Sequence, residues 1–145
     1  MENAINILKP IEGLEVMSDN EGTPLCHVIR HSHAPSGTTF YTPSTYSQQL
    51  GIIKYPSGGT IKAHYHNKVS REVTLTQEVL VVRKGRIRVN LYDRTLKPIG
   101  SVELMQGDTI LLAAGGHGID ILEDTEMLEV KQGPYGGVQN DKTLF

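Results

Sequence analysis

The amino-acid sequence predicts an all-β domain, a sandwich or barrel of short strands. Three observations carry that expectation. Short runs with β-branched or alternating character recur along the chain. Glycines and prolines, 15 and 7 of them, punctuate those runs. No segment sustains a helical period with caps at both ends. A length of 145 residues suits one domain over 1–145, with its core at about 24–132, an arm before it and a C-terminal arm over 133–145. No internal repeat or low-complexity tract interrupts it.

The elements follow in order. Gln48 to Tyr55 reads as a strand, closed by Pro56-Ser57-Gly58-Gly59, and Thr60 to His66 reads as the next. Glu78 to Arg83 is a compact apolar run ended by Lys84-Gly85. Arg86 to Tyr92 sets Arg86, Arg88, Asn90 and Tyr92 against Ile87, Val89 and Leu91, the period of two that marks a strand with two unlike faces. Asp93 to Pro98 forms a turn before a strand from Ile99 to Met105, and Gln106-Gly107-Asp108 turns tightly into Thr109 to Ala113. Ile119 to Leu122 and Glu126 to Gln132 complete the series, with Glu123-Asp124-Thr125 expected as the hairpin between them. In the tail, Tyr135 and Phe145 are available as anchors on the domain or on a second subunit.

Composition narrows the function. Apolar residues make up 38% of the chain and charged residues 21%, enough apolar side chain to offset the entropy of ordering. The net charge of -2 argues against a nucleic-acid partner, which calls for a basic excess to neutralise phosphates, and gives no reason to expect an anionic membrane as partner. No run reaches the length that spans a bilayer, and the first residues lack a basic, then apolar leader. A cytoplasmic, reducing location is the default expectation. The single cysteine, Cys26, lies in an apolar run and reads as a buried structural thiol.

The residues that carry chemistry begin after Gly58. Residues two apart on a strand share a face, so His64 and His66 are expected to aim both imidazoles into one interior. Neutral imidazole is a common ligand of divalent transition metals. Glu78 opens an apolar strand, where a carboxylate is costly to bury without a partner, and a metal ion would serve as one. Glu72, nearer the histidines, is the rival ligand, but it sits in a polar stretch. Farther on, Gly115-Gly116-His117-Gly118 presents one histidine from a glycine turn. Lys62 shares the face of His64, and Arg71 lies in the stretch that follows; both are candidates to orient an anionic substrate. His31 and His33, beside Ala34-Pro35-Ser36-Gly37, read as loop residues at a rim. Glu129 and Lys131 share a face of the last strand and read as part of a cross-strand charge pair.

Together Gly58, His64, His66, Glu78 and Gly85 resemble the first sequence motif of the cupin superfamily, and Gly107, Gly115 and His117 resemble the second. The gap between His66 and Glu78 is longer than the family's usual short one. In the second motif Ala113 stands where a proline is usual, and Ile121 where an asparagine is. The whole pattern is similar to small single-domain metal-binding cupins of bacteria. That resemblance implies a double-stranded β-helix (jelly-roll) barrel holding one divalent metal ion, Fe, Mn, Ni or Zn, through His64, His66, Glu78 and His117. It implies open positions for a small polar or anionic metabolite, oxygenase, isomerase or lyase chemistry (zinc-assisted rearrangement included), and a homodimer. Two other functions fit the same fold: a non-catalytic metal-containing module that binds a sugar, a metabolite or a partner protein, and a metal-free isomerase with histidine as general base.

Overall fold

The computed structural model describes residues 11–145. The arm expected over the first residues lies outside the described residues. Among the described residues the chain is all-β, with antiparallel pairing throughout and a single helical turn.

Five strands form the larger sheet: β1 (Leu14–Ser18), β2 (Pro24–Ile29), β5 (Glu78–Lys84), β8 (Thr109–Leu112) and β10 (Glu126–Lys131), in the order β1-β2-β8-β5-β10. Three form the facing sheet: β6 (Arg86–Tyr92), β7 (Pro98–Met105) and β9 (Gly116–Ile121), in the order β7-β6-β9. A short ladder of β3 (Thr39–Phe40) and β4 (Gly51–Ile52) stands apart.

The core lies between the two large sheets because alternate residues of each strand point inward. Cys26 and Val28 of β2, Leu80 and Val82 of β5, and Ile110 and Leu112 of β8 meet Ile87, Val89 and Leu91 of β6 and Val102 and Leu104 of β7. The outer face of β6 is polar, as its alternation predicts. Arg86 and Arg88 pair with Glu103 on β7 at 3.2 and 2.8 Å, and Asn90 donates to Asp120 on β9 at 2.9 Å. Strand β2 is buried on both faces, since His27 also packs against Tyr46 of the loop that covers the large sheet.

The two sheets do not close into the barrel that the cupin resemblance implied. One side of the sandwich is sealed. There the Met17 side chain of β1 packs on Gly100 of β7, and Arg30 donates to the Glu103 carbonyl at 2.6 Å and to the Asp108 carboxylate at 3.0 Å. On the other side β9 and β10 end their respective sheets, and among the described residues neither has a strand on its outer edge, so they are not the two arms of one hairpin.

Two expected strands differ. Of the run from Gln48 to Tyr55, only Gly51–Ile52 forms a strand. Thr60 to His66 is not a strand: the whole stretch 60–76 is exposed and its backbone makes no hydrogen bond to the rest of the described chain. Alternation gives a segment two faces, but a strand also needs a neighbour, and this segment has none. The C-terminal arm leaves the last strand at Gly133 and forms one turn, α1 (Val138–Asp141), which was not expected. Its last residue, Phe145, lies edge-on to Tyr92 of β6 at a centroid separation of 5.0 Å.

Candidate functional site

Glu78 and His117 meet at the open side of the sandwich. Glu78 is the first residue of β5 and points inward with Leu80 and Val82, so its carboxylate is nearly buried at 8% exposure. His117 is the second residue of β9, opposite the inward-facing Leu91 of β6. The two side chains therefore approach from opposite sheets, and His117 Nε2 lies 3.2 Å from Glu78 Oε2. Hydrogen bonding from His117 holds the Glu78 carboxyl below the usual carboxylate range, against the opposing effect of burial. A buried carboxylate in search of a partner is what the sequence implied at Glu78; the structure supplies an imidazole as that partner.

The glycines before His117 determine its placement. Gly115 has φ +69°, and a Cβ there would strike the Tyr92 carbonyl. The turn is thus tight against β6, and β9 begins at Gly116, ahead of the Ile119 start that the sequence suggested. His117 belongs to a paired strand and not to a free loop.

Around this pair opens a cleft of about 850 Å³, lined by Leu80, Leu112, His117 and Ile119, by Met127 and Glu129 of β10, and by the arm from Asn140 to Phe145. Its β10 wall is mixed, with Met127 beside Glu129. Lys131 stands directly across the ladder from Glu78, and its Nζ lies 3.6 Å from both Glu129 and Asp141. The Asp141 Oδ2 atom is buried without a hydrogen-bond partner. Glu129 and Lys131 thus interact within one strand, where a cross-strand pairing had been expected, and Asp141 was not foreseen. A signal was present: β10 alternates the polar Glu129 and Lys131 with the apolar Leu128 and Val130. Glu129 lines the cleft and Lys131 shares its face, while Leu128 and Val130 are half exposed on the outside.

The other expected site residues lie elsewhere. His64 and His66 sit on the exposed stretch, with ring centroids 5.4 Å apart. His64 Nδ1 donates to the Lys62 carbonyl at 2.8 Å, because a carbonyl only accepts, and this leaves Nε2 with its lone pair free to bind. Lys62 and Arg71 are exposed on the same stretch, and neither lines the cleft. The rival ligand Glu72 is also exposed, beside a smaller surface cavity. His33 serves a loop, contacting the Glu12 carbonyl at 2.9 Å and the Tyr41 hydroxyl at 2.7 Å, and His31 packs over Gly107.

The four proposed metal ligands therefore form two pairs, Glu78 with His117 and His64 with His66. Among the described residues no three His, Cys, Asp or Glu side chains come together in a group able to hold a metal ion. The donors suit such an ion in kind, and the 3.2 Å between His117 and Glu78 is compatible with two ligands each about 2.1 Å from one centre. Their placement within one chain does not complete the set.

No helix among the described residues is long and apolar enough to cross a membrane. No protein-family model, no curated protein and no solved structure matches the chain.

Proposed function

We propose that the protein is a divalent-metal-dependent enzyme of the cupin type acting on a small polar or anionic metabolite, with oxygenase, isomerase and lyase chemistry as the candidate classes. One observation carries this reading: a nearly buried carboxylate, Glu78, held against His117 at the wall of an open cleft between two sheets. A nearly buried carboxylate with a specific titratable partner at the wall of a cleft is characteristic of functional sites. The facing antiparallel sheets suit a jelly-roll whose last strands are wanting on the side of β9 and β10. Glu78 and His117 supply an oxygen and a nitrogen donor, and His64 and His66 are the remaining donors in this reading. The ion, Fe, Mn, Ni or Zn, would polarise a substrate oxygen or nitrogen.

The test is elemental analysis of untagged protein with turnover of a metabolite panel before and after chelation. About one ion per chain is expected, falling to near zero in Glu78→Ala and in His64→Ala. Full retention in both variants would remove those residues from the site.

A second reading rests on the contact between His117 and Glu78 itself. An ionised Glu78 accepts the Nε2–H of His117, fixes the tautomer and leaves Nδ1 as a base, the arrangement that general acid–base catalysis requires without a metal. Turnover that survives chelation and disappears in His117→Gln would select this reading. Binding without turnover would select a non-catalytic module.

A further inference from the structure

We infer that the stretch containing His64 and His66 completes the open side of a second copy of this chain, so that each candidate site is built from two chains. The inference starts from backbone hydrogen bonding. Strands β9 and β10 end their sheets on the same side of the sandwich, and among the described residues nothing pairs with the outer row of backbone groups on either. Free edges are sticky, and native chains cover, blunt or pair them. The stretch 60–76 has the complementary deficiency. Its backbone makes no hydrogen bond to the rest of the described chain, and Ile61, Tyr65, Val69 and Val73 are exposed on it.

Both ends of the stretch are tied down. The Lys54 N–H donates to Thr38 Oγ1 at 3.0 Å, and the Gln77 N–H donates to Gln132 Oε1 at 2.7 Å. The part between them makes no backbone hydrogen bond to its own β9 or β10, and only its last residues, Thr74 to Thr76, reach the cleft. Each copy thus carries one unpaired segment and one unpaired pair of edges. A reciprocal exchange about a two-fold axis satisfies both at once, which selects a second copy over an unrelated partner.

The exchange has a consequence that rests on the metal-site reading above. Laid against β9 of the other copy with Lys62, His64 and His66 on the inward face, the segment brings both imidazoles to the cleft that already holds the partner's Glu78 and His117. The division of the donors into two separate pairs within one chain is then explained, because the pairs belong to one site in the dimer.

Two measurements on the full chain test the assembly itself. Light scattering should give a dimer mass, and hydrogen–deuterium exchange should show protected amides over 60–66. A monomer, or a dimer whose 60–66 amides exchange freely, would overturn the inference whatever the metal result. A third measurement tests the shared site, with zinc as the probe. Chains carrying His64→Ala and His66→Ala are co-expressed with differently tagged chains carrying Glu78→Ala and His117→Ala, and the mixed dimer is isolated. It should bind about one zinc where the wild-type dimer binds about two, because one of its sites receives all four native side chains. A mixed dimer without zinc, beside a wild type that binds it, would show that the ligands do not come from two chains. A wild type that binds no zinc, with a protected dimer, would sink the metal reading and leave the exchange standing.

Discussion

Asp108 is a buried carboxylate whose role is structural. It accepts from the His31 N–H at 2.9 Å, the Met105 N–H at 3.1 Å and Arg30 Nη1 at 3.0 Å, and so ties the turn between β7 and β8 to the end of β2. Asp108→Ala leaves these donors unpaired, and a loss of about 1–3 kcal/mol in urea unfolding is expected. His27 offers a different test. Burial holds its imidazole below the ordinary range, and its Nε2 lies 3.1 Å from the Tyr46 hydroxyl. The unfolded chain therefore takes up the proton first on acidification. Stability should be full above about pH 6.5, decline as pH falls from there through the lower native value, and then level off, with a shallower decline in His27→Gln. Denaturant midpoints from pH 8 to pH 5 measure both slopes. Cys26 conforms to the sequence reading of an inert thiol: it is fully buried, and burial pushes it up to about 11. At this scale the sequence was most legible where burial opposes chemistry. A carboxylate opening an apolar strand singled out Glu78 over Glu72, and the structure buries the first and exposes the second.

Among the elements, the tight connection from β5 to β6, which carries the chain from one sheet to the other, depends on Gly85. Its φ is +82°, and a Cβ there would meet the Asp124 carbonyl and, at 2.7 Å, Thr125 Oγ1. Gly85→Ala should lower stability by about 1–3 kcal/mol and leave the fold recognisable by circular dichroism. Strands β6, β7 and β8 were legible because their apolar residues alternate or run together between turn residues. Strand β1 was not, since it is an edge strand with no residue fully buried, and β2 conceals its period by burying both faces. The Thr60 to His66 segment misled for the opposite reason. It alternates, yet within one chain it lies against no sheet, and alternation carries no information about the partner.

At the scale of the whole molecule, stability resides in the interlocked inner faces, where Ile87, Val89 and Leu104 have no exposed surface. Ile87→Ala should cost about 2–5 kcal/mol in equilibrium unfolding, because neighbours from both sheets cannot close the void together. The sandwich is sealed beside β1 and β7 and open beside β9 and β10, and the cleft occupies the open side. The sequence by itself determined the all-β class, most of the strands with their inward faces, the buried thiol and the demand of Glu78 for a partner, because these follow from local alternation and from the cost of burying charge. Only the tertiary structure decided that this partner is His117, that Glu129, Lys131 and Asp141 crowd the same wall, and that His64 and His66 stand apart from them. Those outcomes depend on which strands become neighbours, a long-range matter of register and closure that no short stretch of residues encodes.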